Sequence, residues 1–248
     1  MKQHGNIFKI GLFLVVLSSI PLFFMAREEY IGWKIDSQYS IEQVYEEQQG
    51  FPTTIDLQEI EVNGRHIEIK EEPTGKKASL TFWDEEEGVE AGDIVKLHLF
   101  VDNKEVTSAD EVWLSNRDRG SRYYSWLDIL TVNEKIAIVQ RLTDDDTNMD
   151  DRKWKIIWID EKGNVKEDAI SYQSRKENPL AVRLIGYSGT GLMMMGYYSD
   201  ILTVYPTLLF PLMFPFGSAI VGILLCIFAF FQWTKRYRLN RANDSDNE

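Results

Sequence analysis

The chain has 248 residues, of which 27 are Lys or Arg and 39 are Asp or Glu, for a net charge of −12. Residues 27–205 contain 21 of the basic and 36 of the acidic side chains. So acidic a segment repels nucleic acid, which excludes DNA or RNA as a partner. The lone cysteine, Cys226, lies in an apolar stretch, so the rest of the chain must be stabilised by a hydrophobic core rather than by disulfides.

The N-terminal apolar run predicts a first transmembrane helix over residues 7–26, after a short tail at residues 1–6. Ile10–Ala26 has no charged residue, and Lys9 can extend towards the interface, which lets the helix begin near Ile7 and reach spanning length. The alternative is a cleaved signal peptide, but Phe24 at the −3 position before Arg27 makes a poor cleavage site. Residues 27–39 are then expected to form a stalk.

Residues 40–200 predict a mainly β domain in the form of an antiparallel sandwich or meander. Ser40–Gln49 has helical spacing of apolar residues and predicts a short helix. From Thr54 the apolar period changes to two, and Asn63-Gly64 indicates a hairpin. Asp93–Val101 alternates in the same way. We expect one compact domain, built either as a single body or as two lobes, residues 50–108 and 109–200.

A second β series is expected from about residue 110 to 187. Ser115 to Gly120, followed by Tyr123, resembles the Asp-box turn of β-propeller blades, with one residue more than that motif has. A propeller needs at least four blades of about forty residues, and this chain has room for two at most. Arg183–Asp200, with its four glycines, predicts a final hairpin.

The second apolar stretch, residues 201–234, predicts a second transmembrane segment because its 34 residues include no Asp, Glu, Lys or Arg. Pro206, Pro211 and Pro215 lie in its outer half, so we expect the regular helix over Phe216–Trp233. The basic cluster that begins at Lys235 opens a cytoplasmic tail, residues 235–248. The expected location is the plasma membrane, with both termini cytoplasmic and residues 27–200 outside. The absence of disulfides favours a bacterial source.

Small residues in the second segment predict a helix-packing face. Gly217, Ser218 and Gly222 would let another helix approach closely. The expected contact is the first transmembrane helix, a second copy of the chain (a homo-oligomer) or a different membrane protein, in addition to the lipid bilayer.

An acidic loop predicts a calcium site at Asp144, Asp146, Asn148 and Asp150, since alternating oxygen side chains can surround a hard cation. Met149 replaces the turn glycine of an EF-hand loop and Lys155 replaces its closing Glu. The alternative is a solvated acidic hairpin loop. A second metal site would require His66, His98 and Glu68 to meet on neighbouring strands.

No catalytic motif lies outside the apolar segments. We therefore expect a non-enzymatic, extracytoplasmic interaction or sensing domain that acts through a membrane partner. The alternative is a membrane-tethered hydrolase of cell-wall or surface polymers. That function would need carboxylates to converge in a pocket with tryptophans from the set Trp83, Trp113, Trp126, Trp154 and Trp158.

Overall fold

The computed structural model describes residues 2–44, 46–48, 51–53, 58–78, 80, 85–86, 88, 90–106, 110–114, 123, 126–143, 147–191, 195–202 and 212–245. Two long apolar helices, one near each end of the chain, flank two antiparallel β-sheets. The helices are α1 (Lys2–Gln38), α2 (Pro179–Tyr187) and α3 (Ser218–Ser245), and a π-helical segment, Leu212–Gly217, leads into α3. The chain forms two compact units, Met1–Tyr30 with Ser199–Glu248 and Ile31–Tyr198.

The strands belong to two larger sheets and one small pair. The first sheet consists of β4 (Glu59–Val62), β5 (Arg65–Lys77), β6 (Asp93–Val101), β7 (Lys104–Glu105) and β8 (Asp110–Trp113). The second sheet has the order β1 (Ile41–Gln43), β9 (Leu127–Val132), β10 (Lys135–Arg141), β11 (Lys153–Ile159), β12 (Val165–Ser171). The small pair is β2 (Glu46–Gln48) with β3 (Phe51–Thr53). The expected antiparallel pairing is confirmed, and β8, which follows the expected boundary between two lobes, pairs with β6.

The first sheet is buried on one face only. Along β6 every second side chain from Val95 to Val101 is buried, and the residues between them are half-buried. The predicted turn after β4 is confirmed, since Asn63 and Gly64 have φ of 47° and 71°, a conformation that Asn and Gly adopt most readily. This alternation of apolar and polar residues is typical of an antiparallel sheet with one solvated face.

The second sheet is buried on both faces, as the unbroken apolar runs of β10 and β11 require. Its inner face packs on the first sheet, where Ile136, Ile138 and Ile157 are at most 2% exposed. We call this cluster the inner core. Its outer face packs on α2 and on Ile35 near the end of α1, and we call that cluster the outer core.

The predicted helix over Ser40–Gln49 is wrong, because α1 ends at Gln38 and the chain then enters β1. Ser40 is not a helix cap: its backbone N–H donates to the Oδ1 of Asn133 at 2.9 Å. Ile41 pairs with Val132 across β9. The edge of the second sheet therefore provides backbone partners that outweigh the local helical spacing.

The predicted hairpin over Arg183–Asp200 is also wrong in its first part, because residues up to Tyr187 belong to α2. Asn178 caps this helix by accepting the Ala181 N–H at 3.1 Å, and Pro179 occupies the first turn. The buried side chains of α2 are Ala181, Val182, Leu184 and Ile185. Their spacing is helical, and residues 192–194 of the expected hairpin lie outside the described residues.

Two helices are long and apolar enough to cross a membrane by length and composition, Asn6–Gln38 and Leu212–Arg238. The residues predicted as a stalk continue α1 without a break as far as Gln38. At the other end, Phe214 has a non-helical conformation (φ −143°, ψ 125°) and α3 begins at Ser218, two residues later than expected. Pro206 and Pro211 lie outside the described residues.

Candidate functional site

The two long helices, α1 and α3, pack closely through glycine, and we call them the helix pair. A Cβ added to Gly222 would lie 2.8 Å from the carbonyl oxygen of Gly11 and 2.9 Å from a methyl group of Val15. Distances this short leave no room for a side chain. The contacts of Gly11 with Gly222, and of Ser18 with Ser218, run in opposite directions along the two helices. The helices are therefore antiparallel.

The predicted packing residues have different roles in the helix pair. The Oγ atoms of Ser218 and Ser18 lie 2.7 Å apart, and Ser18 is fully buried. Gly217 instead faces its own segment, since a Cβ there would lie 2.6 Å from the carbonyl oxygen of Leu212. A contact of this face with a second copy or another membrane protein stays a prediction.

A buried carboxylate lies in the same unit as the helix pair. Glu28 on α1 is 3% exposed, and its Oε1 accepts hydrogen bonds from the backbone N–H of Ser199 at 3.0 Å and from the Ser199 hydroxyl at 3.4 Å. A buried carboxylate requires such donors. We call the unit Ile31–Tyr198, which contains both sheets, the β-domain. Glu28 therefore ties the segment that follows the β-domain to α1.

Two of the four residues of the predicted calcium loop belong to the described residues. Asp144 and Asp146 lie outside the described residues, and Asn148 and Asp150 are exposed on either side of Met149 at a short 3₁₀ turn. Among the residues that the structure describes, no group of three His, Cys, Asp or Glu side chains is placed to hold a metal ion. The calcium site stays a prediction.

The predicted metal site at the two histidines is wrong, although β5 and β6 are neighbours. His98 lies opposite Lys70, whereas His66 lies opposite Glu61 on β4. Two glutamates engage His98 instead: Glu105 Oε1 is 2.8 Å from Nδ1 and Glu72 Oε2 is 3.1 Å from Nε2. These hydrogen bonds, with Glu105 the larger cause, raise the pKa of His98.

Two charged side chains of the second sheet, Lys155 and Arg141, are buried. The Lys155 side chain bridges the two sheets, contacting Asp110 of β8 and lying 3.5 Å from the Oε2 of Glu167. Arg141 is 1% exposed and its guanidinium carbon is 3.6 Å from the centre of the Trp126 ring. These charges are therefore stabilised within the core, by carboxylates and by a cation–π contact.

The described tryptophans do not line one pocket. Trp126 belongs to the inner core, Trp154 to the outer core, and Trp158 packs against the outer core from the surface. Trp83 lies outside the described residues, and so does the side chain of Trp113. The described residues therefore give no support to a hydrolase pocket that gathers these side chains.

A cleft of about 650 Å³ lies on the outer side of the second sheet, at the end where its hairpins turn, and we call it the turn cleft. Its apolar wall includes Tyr39, Trp158 and Leu180. The β9–β10 turn contributes Glu134 and the β11–β12 turn contributes Glu161. The volume falls within the range of small-molecule sites in proteins.

Three of the six charged side chains that line the turn cleft are engaged with neighbouring groups. Asp168 accepts the indole N–H of Trp158 at 3.0 Å and pairs with Lys166 at 2.8 Å. Asp160 accepts three hydrogen bonds within its own turn, which lower its pKa, the side chain of Asn164 being the largest cause.

The carboxyl groups of Glu134 and Glu161 lie next to each other at the rim of the turn cleft. The neighbouring Glu134 carboxyl is the main cause of a raised pKa at Glu161, and Asp160 adds to it, while Lys135 opposes the shift. Two carboxylates that share a site repel each other when both are charged. This rim of the turn cleft therefore has a negative potential, which Lys135 compensates only in part.

A further titratable group, Asp128, is buried in the second sheet at 1% exposure. Burial raises its pKa to about 7, although the Ile129 N–H and the Gln43 side chain donate hydrogen bonds to it at 2.9 and 3.1 Å. Gln43 also donates to the carbonyl of Tyr187 at the end of α2. Sequence reasoning missed Asp128, although an Asp inside the apolar run Leu127–Val132 was the available signal.

In comparisons with known proteins, no family model, no curated protein and no solved structure matches this chain.

Proposed function

We propose that this chain is an integral membrane protein that spans the plasma membrane twice and carries a non-enzymatic interaction or sensing domain outside. Both termini are cytoplasmic and residues 27–200 are extracytoplasmic. The domain acts on a partner in the membrane, which contacts the exposed apolar surface of the helix pair.

The observation that carries this proposal is the surface of the helix pair. Exposed large apolar side chains are concentrated on α1, on α3 and on the segment that leads into α3. Elsewhere in the described residues only Tyr187 and Leu202 are of this kind. A continuous apolar surface of this extent is costly in water and suited to lipid.

Two further features support the orientation. The antiparallel helix pair brings both chain ends to the same side. Lys235, Arg236 and Arg238 follow the second apolar segment at once, and such basic clusters stay cytoplasmic. After the first segment only Arg27 is basic at the same distance, and it is followed by Glu28 and Glu29. The charge asymmetry therefore favours cytoplasmic termini.

Membrane residence is tested by extracting membranes from cells that express the full chain. We expect the protein to stay in the membrane pellet in alkaline carbonate and to leave it only with detergent, because two apolar helices hold it. Release by carbonate alone would contradict the proposal.

The partner is tested with a photo-crosslinking residue placed on α3. At Ile223, which is exposed, the proposal predicts an adduct of discrete mass with a membrane protein or a second copy. At a buried position such as Gly222 or Ala229 the same residue would disrupt the helix pair, so the control is the Ile223 protein kept from ultraviolet light. Adducts with lipid alone, from Ile223 and from further exposed positions such as Phe230, would contradict a partner on this face.

A further inference from the structure

We propose that the turn cleft binds a small organic cation that carries an alkylammonium group. The inference gives the proposed sensing domain a class of ligand. The cleft lies within residues 39–180, so a binding test of it does not depend on which side of the membrane the domain occupies.

The charge of the turn cleft selects a cation. Its lining includes four carboxylates and two lysines: Glu134, Asp160, Glu161, Asp168, Lys135 and Lys166. Lys166 is neutralised by Asp168, as described above. The nearby Arg65 is also engaged, because it pairs with Asp102 at 2.7 Å and donates to the backbone carbonyl of Glu161 rather than to its carboxylate. A positive group at the rim would replace the repulsion between Glu134 and Glu161 with two attractions.

The apolar wall selects an alkylammonium rather than a metal ion. Hard metal cations require six or more oxygen ligands, and the described residues contain no group of three metal-ligating side chains. An alkylammonium group needs fewer oxygen ligands than a metal ion. It is attracted by carboxylates and by the faces of Trp and Tyr rings, and its methyl or methylene groups favour apolar walls. Trp158 and Tyr39 supply the rings, and Leu180 adds an aliphatic surface.

The ring of Trp158 is held in place for this role. Its indole N–H donates to Asp168, which is in turn fixed by Lys166. The indole is therefore oriented by a chain of polar contacts as well as by its packing against the outer core, and it stays half-buried at the cleft. A fixed aromatic face loses little conformational entropy when a ligand contacts it.

The test is calorimetric titration of the full chain in a maltoside detergent with choline. Phosphocholine detergents are avoided because their headgroup would compete. The matched ligand is 3,3-dimethyl-1-butanol, in which a carbon atom replaces the charged nitrogen, and sodium chloride at equal ionic strength controls for screening. We expect saturable binding of choline and none of the neutral alcohol.

Two variants locate the site. Glu161→Gln removes one rim charge from an exposed turn, and Trp158→Leu removes the aromatic face; each should weaken choline binding about 3- to 10-fold. Glu61→Gln, an equal loss of charge on exposed β4 of the first sheet, should change it by less than twofold. Since Trp158→Leu is a larger change, Glu161→Gln keeps the test decisive if the tryptophan variant folds poorly.

Three results would overturn the inference. They are equal binding of choline and the neutral alcohol, an effect of choline that sodium chloride reproduces, and equal affinities of the Glu161→Gln and Glu61→Gln proteins. Failure of membrane insertion would leave these results unaffected, so the ligand and the topology are tested separately.

Discussion

The β-domain buries its large aliphatic side chains, whereas the helix pair exposes them. Ile138 and Ile157 are fully buried between the two sheets, while Phe13 and Phe231 on the long helices are 64% and 65% exposed. The helix pair instead buries small residues, among them Gly11, Ser18 and Gly222.

This difference shows which force holds each region. Burial of apolar surface from water drives the packing of the sheets. Between helices in lipid that force is absent, so close backbone approach and hydrogen bonds between small side chains hold them together. The same substitution of a large aliphatic residue should therefore destabilise the β-domain and leave the lipid-facing surface of the helix pair almost unaffected.

The largest effect is expected in the inner core. Ile138→Ala should lower the free energy of unfolding of the β-domain by about 2–5 kcal/mol, because it leaves a cavity between two packed sheets. Ile220→Ala on the exposed surface of α3 removes the same atoms and should leave that free energy unchanged. Unfolding of the full chain in detergent, followed by tryptophan fluorescence, measures both, and equal losses would contradict the comparison.

A pH dependence is expected from Asp128. Its pKa is about 7 in the folded state against an ordinary value of 3.8, so the folded protein holds a proton that the unfolded chain has lost. The contribution of Asp128 to stability is fully present below about pH 4, declines as the pH rises towards 7 and is lost above it. The whole decline is on the order of 4 kcal/mol.

Asp128→Asn should abolish this decline, because the amide keeps an acceptor for Gln43 and does not ionise in this range. The measurement is the denaturant midpoint between pH 5 and pH 8, with Glu61→Gln as the control that keeps the slope. A wild-type midpoint that does not fall between pH 5 and pH 7 would show that Asp128 is not protonated in the folded protein.

Gly222→Leu should open the helix pair and leave the β-domain intact, because no side chain fits against the backbone of Gly11. The native Cys226 reports this opening, since its Sγ lies 3.9 Å from the carbonyl oxygen of Phe8. We expect faster alkylation of Cys226 by N-ethylmaleimide in detergent, whereas Val221→Leu on the exposed face should not change the rate. Equal rates in the two variants would count against the close approach at Gly222.

The smallest effect is expected at the hydroxyl pair of the helices. A double-mutant cycle of Ser18→Ala and Ser218→Ala should give a coupling energy of about 0.6 kcal/mol, as is usual for hydrogen bonds between helices in membranes. The measurement is unfolding in mixed micelles. No coupling would show that the glycine contact acts alone.

Much of the fold could be predicted from local signals. The turn at Asn63-Gly64 and the alternation in Asp93–Val101 depend on chemistry within a few residues. The helix over Pro179–Tyr187 also had such signals, in Asn178 and Pro179, but the four glycines further along favoured a hairpin. The strand at Ile41–Gln43 could not be predicted, because its partner on β9 is distant in sequence.

The candidate sites also differ in how far local sequence signals could predict them. Small residues at Ser218 and Gly222 indicated a packing face, but the register that brings Gly11 opposite depends on both helices. The turn cleft depends on two hairpin turns and on the start of α2. Glu134 and Glu161 are far apart in the sequence, and no local pattern indicates that their carboxyl groups lie close together.

The most direct test of the membrane topology is labelling of single cysteines in intact cells. In a Cys226→Ala background, Lys162→Cys lies in the exposed β11–β12 turn and Ser245→Cys lies in the C-terminal tail. A membrane-impermeant maleimide should label Lys162→Cys in intact cells and Ser245→Cys only after the membrane is permeabilised. Labelling of Ser245→Cys in intact cells, with Lys162→Cys protected, would contradict an extracytoplasmic domain.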